Sequence, residues 1–354
     1  MKYMKSNFSQ MVPYHSKMIE DGIILNSNES PFEPPFDVKD EIKKTILNTE
    51  WNRYPDMDTN LLNEAIAKHY GIPKENVTCG VGSDELLDCM FRAVLNEGDT
   101  VLGFSPSFSM YQVFSELALA KYIPILGDEN MQFSIPLMIE KIKEVNPKIV
   151  LICSPNNPTG QYFTKEEVKR VIEATDALVA LDLAYIDFAY EDYATIALDY
   201  DNVICFKTFS KALALPSIRL GYAISNKDNI DMLNAIKAPY SVTTLTQKIG
   251  SIAISKFSSY QGQINLIKRE REYLYHELKK RGYQIYPSEA NFLFLYMDDS
   301  LYEKLLENKI YIRKFKNGTY RITVGSHYEN EKLLEVLKWE VPQKKEKLKK
   351  LILK

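Results

Sequence analysis

The sequence predicts an α/β protein with a large three-layer αβα domain, built on a mostly parallel sheet, and a smaller α+β domain. Between residues 77 and 224, short apolar runs alternate with segments of helical length, which is the pattern of parallel strands covered by helices on both faces. From residue 291 onward, shorter strands and helices follow in mixed order. The chain has 354 residues, which is more than one simple core usually accommodates, so we expect two domains.

The predicted elements are apolar runs bounded by glycine, proline and polar turns. The strands of the large domain are predicted at 77–79, 100–104, 121–125, 148–153, 178–182, 202–206 and 218–224. Its helices are predicted at 37–47, 59–70, 86–95, 108–119, 135–144 and 164–174, the last opened by a capping box. A long helix over 260–281 is followed by strands 291–296, 310–313 and 320–324 and helices 301–308 and 329–338.

These elements divide the chain into four predicted segments. Residues 1–35 form an N-terminal segment that packs with the small domain, 36–240 form the large domain and 241–341 form the small domain. Residues 342–354 form a basic tail, which we interpret as a solvated terminal helix or frayed end. A helix that binds a membrane surface or a partner is the alternative for the tail.

Composition excludes several classes of function. The net charge of -3 gives no reason to expect nucleic-acid binding, and no apolar segment approaches the ~20 residues that a membrane span needs. The first 20 residues contain no apolar run typical of a signal peptide. The four histidines are scattered, so no metal site is expected. Free thiols in a reducing cytoplasm are the expected state of the four cysteines, Cys79, Cys89, Cys153 and Cys205.

One stretch, residues 205–222, combines groups that could hold a phosphate and an aldehyde. A strand ends in a polar turn that presents Thr208, Ser210 and Lys211, and Arg219 follows eight residues after the lysine. Hydroxyls and an arginine bind phosphate, and a desolvated lysine can form an imine with an aldehyde. The common cofactor with both groups is pyridoxal phosphate (PLP). Taken alone, Lys211 is better explained as a solvated surface lysine.

A glycine-containing turn supplies a second phosphate-binding element. Residues 80–85, Gly-Val-Gly-Ser-Asp-Glu, join a strand to a helix N-terminus, where Ser83 and Asp84 lie beside free N–H groups and a favourable helix dipole. The same residues could be a degenerate dinucleotide-binding fingerprint, but the third glycine is missing. Capping of the helix by Ser83 is the purely structural alternative.

Four further side chains at or near strand ends could contact a bound pyridine ring. Asn157 lies in the proline-stiffened turn 154–160 and could donate a hydrogen bond to a phenolic oxygen. Asp182 ends a buried strand, so its carboxylate needs a cationic partner, and a protonated pyridine nitrogen is one. Tyr185 could bond the same phenolic oxygen as Asn157. Phe108 could stack on the ring, although an ordinary core phenylalanine explains it as well.

In combination these motifs resemble the fold-type I PLP-dependent aminotransferases, and within them the histidinol-phosphate aminotransferases. The resemblance covers residues 14–337. It is carried by Pro13-Tyr14, 25–31 (Leu-Asn-Ser-Asn-Glu-Ser-Pro), 53–55 (Arg-Tyr-Pro), 82–85 (Gly-Ser-Asp-Glu), 154–160 (Ser-Pro-Asn-Asn-Pro-Thr-Gly), 182–185 (Asp-Leu-Ala-Tyr), 208–211 (Thr-Phe-Ser-Lys), Arg219 and 320–325 (Tyr-Arg-Ile-Thr-Val-Gly).

The resemblance implies a role for each matching residue. Lys211 would form the internal aldimine and shuttle the substrate proton, Asp182 would pair with the pyridine nitrogen, and Tyr185 would bond the phenolic oxygen with Asn157. The phosphate-binding set would be Ser83, Asp84, Thr208, Ser210 and Arg219.

Other implied roles concern the substrate and a second subunit. Tyr54 would reach the cofactor phosphate of the neighbouring subunit, which implies a homodimer with shared active sites. Arg321 would bind the substrate carboxylate, and Tyr14 and Arg313 would meet the distal phosphate of histidinol phosphate.

The sequence leaves the reaction open among related alternatives. The first is transfer of an amino group from histidinol phosphate to a 2-oxo acid such as 2-oxoglutarate. A threonine-phosphate decarboxylase or an aromatic or broad-range aminotransferase would use the same cofactor residues. A non-catalytic PLP-binding regulator is a further class. The departures from the family pattern are Phe108 in place of tyrosine, Leu183 in place of glutamate and Ser326 in place of threonine.

Overall fold

The computed structural model describes residues 21–337, together with residues 8 and 19. Tyr14 and the basic tail at 342–354 therefore lie outside the described residues. The strands in chain order are β1 (Ile23–Leu25), β2 (Val77–Val81), β3 (Thr100–Ser105), β4 (Lys121–Leu126), β5 (Ile149–Cys153), β6 (Leu178–Asp182), β7 (Val203–Thr208), β8 (Leu220–Ile224), β9 (Gln284–Tyr286), β10 (Phe292–Tyr296), β11 (Ile310–Lys314) and β12 (Thr319–Thr323).

Seven strands form a mostly parallel sheet in the order β2-β8-β7-β6-β5-β3-β4. Only β8 runs against its neighbours in this sheet. The prediction of an α/β architecture with a mostly parallel sheet is confirmed. Because β8 is reversed, its beginning lies at the same edge as the carboxyl ends of the other strands, which is where ligands bind in open α/β sheets.

Helices cover the sheets and connect the strands. In chain order they are α1 (Phe36–Leu47), α2 (Asn60–Tyr70), α3 (Gly82–Val94), α4 (Met110–Leu117), α5 (Ile135–Val145), α6 (Lys165–Ile172), α7 (Lys227–Ile236), α8 (Thr244–Ser255), α9 (Phe257–Lys280), α10 (Asp299–Glu307) and α11 (His327–Val336). The predicted capping box at Thr164 and Glu167 is present at the start of α6.

Alternating side chains of the large sheet enter two apolar layers. On β7, Val203 and Cys205 belong to one buried cluster, whereas Ile204 and Phe206 belong to the cluster on the opposite face. This is the period of two expected for a strand that is buried on both faces. Such burial makes the middle of the sheet rigid and leaves chemistry to the residues at its edge.

A second sheet has the order β1-β11-β12-β10-β9. The run 23–25, read from sequence only as a short apolar segment, pairs in parallel with β11. The remaining pairs of this sheet are antiparallel. The strand β1 thereby holds the segment that follows it, residues 26–28, between the two sheets.

The helix α8 begins just after the predicted division at residue 240. Its buried residues Ile249, Ile252 and Ala253 belong to the apolar cluster of the large sheet, not to that of the small sheet. The small-sheet cluster takes residues of the same helical region only from Leu274 and Leu278 onward. We therefore propose that the boundary falls within α9; the other predicted segment boundaries stay predictions.

Candidate active site

The residues singled out at the strand ends gather at one edge of the large sheet. Asp182 ends β6, Thr208 ends β7, and Ser83 follows the end of β2 within the first turn of α3. Arg219 immediately precedes β8, whose antiparallel direction brings it to this edge. Strand order alone thus places four of the predicted site residues together.

Asp182 is a buried carboxylate at the floor of the site. Its Oδ2 accepts a hydrogen bond of 2.6 Å from the Tyr111 hydroxyl, and its Oδ1 accepts one of 3.1 Å from the Ala184 N–H. Burial, together with the negative charge of Asp84, raises the pKa of Asp182 to about 6 despite these two bonds. A cation placed against Asp182 would relieve the cost of burying its charge.

Tyr111 was not predicted as a site residue. It is buried on α4, three residues after Phe108, and the two rings meet edge to face with centroids 5.6 Å apart. The sequence signal for it was a hydroxyl one helical turn from the predicted stacking residue. Phe108 itself is partly buried and packs against the apolar cluster on one face of the large sheet, which contains Tyr111.

Lys211 is a half-buried lysine in the polar turn after β7. Its Nζ donates a hydrogen bond of 2.9 Å to the Ser27 carbonyl and lies 5.8 Å from the centre of the Tyr185 ring. Desolvation, together with the nearby charge of Arg321, lowers the pKa of Lys211 to about 8. A larger fraction of this amine is therefore neutral at neutral pH than in an ordinary lysine, which is what a nucleophilic lysine requires.

The turn at the start of α3 packs closely against β8. A Cβ placed on Gly221 would lie 2.1 Å from the Ser83 nitrogen, so only glycine allows this approach. Arg219 and Asp84 form an ion pair of 3.4 Å at the rim. Burial raises the pKa of Asp84 more than the Arg219 charge lowers it. The first-turn N–H groups and a guanidinium thus face one small volume, which suits an anion.

Thr208 and Ser210 lie at the same edge of the sheet. Both side chains are buried, and the Ser210 N–H donates to Thr208 Oγ1 over 3.1 Å. The preceding residue, Lys207, points to the opposite face of the sheet. Its Nζ donates to Asp187 Oδ1 over 2.8 Å and to Asp192 Oδ2 over 2.5 Å, which ties the loop after β6 to β7.

Arg321 reaches the site from the small sheet. Its Nη1 donates to Asn157 Oδ1 over 2.5 Å, and its Nη2 donates to the Asn26 carbonyl over 2.7 Å. The guanidinium also lies 5.4 Å from the centre of the Phe292 ring. Because Asn157 Oδ1 accepts from Arg321, the Asn157 amide nitrogen is directed away from the arginine and can donate to another group.

Tyr185 lies beside Arg321 and Lys211. It is buried, packs edge to face on Phe292 with ring centroids 5.0 Å apart, and its hydroxyl oxygen accepts a hydrogen bond of 2.9 Å from Asn28 Nδ2. Burial raises its pKa well above that of a free tyrosine, so Tyr185 is neutral and carries its proton. Asn28 is a second residue that sequence reasoning did not single out.

Arg313 lies directly opposite Arg321 in the antiparallel pair β11–β12. Residues that face each other in such a pair place their side chains on the same face of the sheet. Arg313 is partly exposed, whereas Arg321 is buried. The small sheet thus presents two guanidinium groups on one face, one inside the site and the other nearer to solvent.

Tyr54 lies apart from the other predicted site residues. It is 82% exposed and stacks on Tyr240, with ring centroids 4.8 Å apart. No contact between Tyr54 and the other predicted site residues appears among the contacts described for residues 21–337. Its predicted role requires a second subunit and stays a prediction.

Comparison with known proteins places the chain in a family. The sequence profile of aminotransferase class I and II matches residues 20–337. The chain belongs to the class I and II aminotransferases. This aminotransferase is 34% identical over 335 residues to the histidinol-phosphate aminotransferase of Thermoanaerobacter pseudethanolicus, covering 92% of this chain and 93% of that protein. It is 36% identical over 333 residues to the enzyme of the same name from Pyrococcus furiosus, and the match covers 92% of this chain and 94% of that protein.

Solved structures share the fold of this aminotransferase. Histidinol-phosphate aminotransferase from Sinorhizobium meliloti, in complex with pyridoxal-5'-phosphate, superimposes with a TM-score of 0.86 at 22% identity, covering 99% of this chain and 100% of that one. A mutant of Thermus thermophilus aspartate aminotransferase gives a TM-score of 0.82 at 20% identity, and the match covers 95% of this chain and 99% of that one. At these identities the likeness concerns the fold alone.

The described residues show neither a metal-binding cluster nor a membrane-spanning helix. Within 21–337 no group of three or more histidine, cysteine or acidic side chains is arranged to hold a metal ion. No helix in the same part of the chain has the length and apolar character needed to cross a membrane.

Proposed function

We propose that this aminotransferase uses PLP to move the amino group of histidinol phosphate to a 2-oxo acid such as 2-oxoglutarate, as a step of histidine biosynthesis. The names of the relatives at 34% and 36% identity support this substrate. The structural observation that carries it is the pair Arg313 and Arg321, which share one face of the small sheet. Histidinol phosphate and 2-oxoglutarate both carry anionic groups, and planar guanidinium groups bind such groups in bidentate fashion.

The donor set at the sheet edge fits PLP. The buried Asp182 carboxylate, whose pKa is raised by burial, suits a protonated pyridine nitrogen. The close approach of Gly221 to the Ser83 nitrogen leaves a cradle for a phosphate, with Arg219 at its rim and the Thr208 and Ser210 hydroxyls beside it.

Three side chains would supply the remaining contacts, which are those to the PLP ring and its phenolic oxygen. Tyr185 and the Asn157 amide nitrogen would bond the phenolic oxygen, and Phe108 would stack on the ring. When bound, PLP supplies an electron sink for the bond at the substrate α-carbon.

Three residues of the chain would have separate roles in the reaction. Lys211 would hold the cofactor through its Nζ, and its free amine would serve as the base that moves the proton of the substrate carbon bearing the amino group. Asp182 would hold a proton on the pyridine nitrogen. Arg321 would bind an anionic group of the substrate and orient it in the site, and the buried surroundings would exclude water.

Replacing Arg313 by alanine is expected to raise the KM for histidinol phosphate at least about tenfold, because a charge-assisted hydrogen bond to a phosphate contributes roughly 1.5–3 kcal/mol. The KM for glutamate in the reverse direction should change much less. Steady-state kinetics with both substrates measure the two values. Equal effects on both substrates would remove the proposed role of Arg313. Arg92→Ala, which removes an arginine paired with Asp88 on α3, is a control for loss of a surface arginine.

The same assay separates amino transfer from decarboxylation. Glutamate should form from 2-oxoglutarate in step with consumption of histidinol phosphate. Release of carbon dioxide from a phosphorylated amino acid, with no need for a 2-oxo acid, would instead favour the threonine-phosphate decarboxylase alternative.

The apoprotein is expected to take up PLP faster as the pH rises toward 8, and the rate should level off above that value. The neutral amine is the nucleophile, and the pKa of Lys211 is lowered to about 8. The rate is measured from the appearance of the visible absorption of the lysine-linked cofactor. Arg321→Gln removes a charge that lowers this pKa, so it should move the profile to higher pH. A rate that rises tenfold per pH unit well above 8 would indicate an ordinary lysine.

We also propose that the protein is a homodimer whose subunits share active sites. Five large side chains within residues 36–57 are each exposed, with Leu47 and Trp51 exposed by 77% and 71%; the five are Phe36, Leu47, Trp51, Tyr54 and Met57. Side chains of this size in solvent favour a protein partner. The implied reach of Tyr54 to a neighbouring phosphate favours a second copy of this chain as that partner.

Trp51→Glu is expected to shift the protein from dimer to monomer, because association would bury a charge in an apolar contact. Sedimentation velocity measures the shift, and the affinity for PLP should fall in parallel because Tyr54 is lost from the site. Leu126→Glu, at another exposed leucine on β4, is the control and should leave the dimer intact. A wild-type protein that is monomeric and fully loaded with PLP would contradict the shared site.

A cytoplasmic location is part of the same proposal. It is supported by Cys79, Cys89, Cys153 and Cys205, which are all free and buried.

A further inference from the structure

A buried polar network links Tyr185 to the small sheet through Asn28. The side chain of Asn28 is 1% exposed, and its Nδ2 donates to the Tyr185 hydroxyl oxygen over 2.9 Å. Its backbone N–H donates to Thr323 Oγ1 over 2.9 Å, and Thr323 Oγ1 donates to Asn28 Oδ1 over 3.2 Å. The Asn28 carbonyl accepts from Asn291 Nδ2 over 3.1 Å. Every polar group of Asn28 therefore has a partner, and all of them come from distant parts of the chain.

The backbone at Asn28 adds a second restriction. Its φ of 54° lies in the left-handed region, which asparagine and aspartate adopt more readily than other residues with a side chain. This conformation directs the backbone N–H and the side-chain oxygen to the same hydroxyl, that of Thr323. The amide group is thereby held with its nitrogen toward Tyr185.

The direction of these hydrogen bonds decides where the Tyr185 proton points. A tyrosine hydroxyl has one proton to donate and can accept as well. Because Asn28 donates to the Tyr185 oxygen, the proton of that hydroxyl is not used toward Asn28 and is available to the site. An acceptor in place of the amide nitrogen would take this proton and turn it away.

We propose that Asn28 is a positioning residue that fixes Tyr185 as a hydrogen-bond donor toward the phenolic oxygen of the cofactor. The proposal rests on the proposed PLP function and adds a residue to it. On this proposal an amide suits position 28 better than a carboxylate of the same shape, because only the amide donates to Tyr185. Thr323 supports Asn28 by holding its oxygen, and both lie on the segment and strand that also place Arg321.

The neighbouring residues of the same segment contact the site through their backbone. The Asn26 carbonyl accepts from Arg321 and the Ser27 carbonyl accepts from Lys211. The charged groups that face Lys211 and Tyr185 are Arg321, Arg219, Glu29, Asp84 and Asp182. The substitutions proposed below leave these groups in place; Asn28→Asp adds one carboxylate beside them, whereas Thr323→Val adds no charge.

The test is a pH titration of the visible absorption of the lysine-linked cofactor in the holoprotein. Asn28→Asp should raise the apparent pKa of that absorption by about one unit, as Tyr185→Phe should. Loss of the Tyr185 donor leaves more negative charge on the phenolic oxygen. This charge would hold the proton on the nitrogen that links Lys211 to the cofactor more firmly. Asn28→Asp also adds a carboxylate near Lys211, so any shift of the double variant beyond that of Tyr185→Phe alone measures the effect of this charge.

Two further variants keep the test decisive. Asn63→Asp changes another buried asparagine, whose Oδ1 accepts from Thr59 and whose Nδ2 donates to the Asp58 carbonyl, and it should leave the titration unchanged. Thr323→Val frees the Asn28 amide to turn over and should give a shift between those of wild type and Asn28→Asp. If Asn28→Asp does not fold, Thr323→Val carries the test.

The outcomes separate this proposal from the one on which it rests. A folded Asn28→Asp or Thr323→Val protein that titrates like wild type, while Tyr185→Phe shifts, would overturn the role of Asn28. A wild-type protein that gains no visible absorption with PLP would refute the proposed function instead.

Discussion

Replacing Lys211 by alanine is expected to lower kcat by at least about 10³-fold, since the substitution removes both the nucleophile that attaches the cofactor and the base that moves the substrate proton. The amine Nζ of Lys211 lies beside Tyr185 with a pKa lowered to about 8, which is the property both roles need. Steady-state kinetics with histidinol phosphate and 2-oxoglutarate measure the loss. The visible spectrum should change as well, because PLP can then bind only without its covalent link.

Lys211→Arg is the matched control for charge. Arginine keeps the positive charge but is not deprotonated in proteins, so this variant should be as inactive as Lys211→Ala. Thermal unfolding of both variants checks that the loss is not one of folding. A variant that retained a tenth of wild-type kcat, with its absorption unchanged, would show that another residue attaches the cofactor.

Asp182→Asn is expected to lower kcat by about 10²-fold or more. The same substitution is expected to make the apoprotein more stable than wild type at high pH. Asparagine cannot hold a proton on the pyridine nitrogen, so the electron sink is weakened. In the apoprotein, however, the buried Asp182 carboxylate is costly, as its raised pKa of about 6 shows. PLP should therefore stabilise the wild type more than it stabilises the variant.

The pH dependence of that stability has a definite sign. The pKa of Asp182 is about 6 in the folded protein, compared with about 3.9 for an unfolded aspartate. Its contribution to stability is fully present below the unfolded pKa and is lost as the pH rises through about 6. Between pH 4 and pH 8, the free energy of unfolding should therefore shift in favour of Asp182→Asn by up to roughly 3 kcal/mol relative to wild type.

Chemical denaturation of the two apoproteins at several pH values measures this difference. A difference that does not depend on pH would mean that Asp182 keeps an ordinary pKa in the folded protein. A difference of the opposite sign would mean that its carboxylate already has a cationic partner before PLP binds.

The positions of the main site residues could be predicted because they are encoded locally. Each lies at or just beyond a strand end, and a mostly parallel sheet brings such ends to one edge. The buried runs before Asp182 and Lys211 are long enough to be recognised as strands from sequence. The same local signal made the capping box of α6 predictable.

The contacts of Tyr185 and Arg321 could not be predicted in the same way, because they join distant parts of the chain. Asn28 and Tyr185 are 157 residues apart, and Asn28 and Thr323 are 295 residues apart. The pairing of β1 with β11 is what brings the segment 26–28 to the site, and three apolar residues in sequence do not specify a partner strand. The fold therefore adds Asn28 and Tyr111 to a site that its motifs only outline.

The membership of α8 in the large core has a similar origin. A change from alternating strands to long helices after residue 226 favoured a domain boundary near residue 240. Packing instead depends on which apolar face each helix presents, and Ile249, Ile252 and Ala253 complete the large-sheet core. The boundary that we propose within α9 would leave no loop or composition change in the sequence.

The most direct test of the central claim is a half-reaction with the PLP-loaded protein and no 2-oxo acid. Histidinol phosphate, added alone, should rapidly bleach the visible absorption of the lysine-linked cofactor, and 2-oxoglutarate should then restore it. Histidinol without its phosphate should act far more slowly, because Arg313 then has no anion to bind. Bleaching by aromatic amino acids alone, with no response to histidinol phosphate, would contradict the proposed substrate.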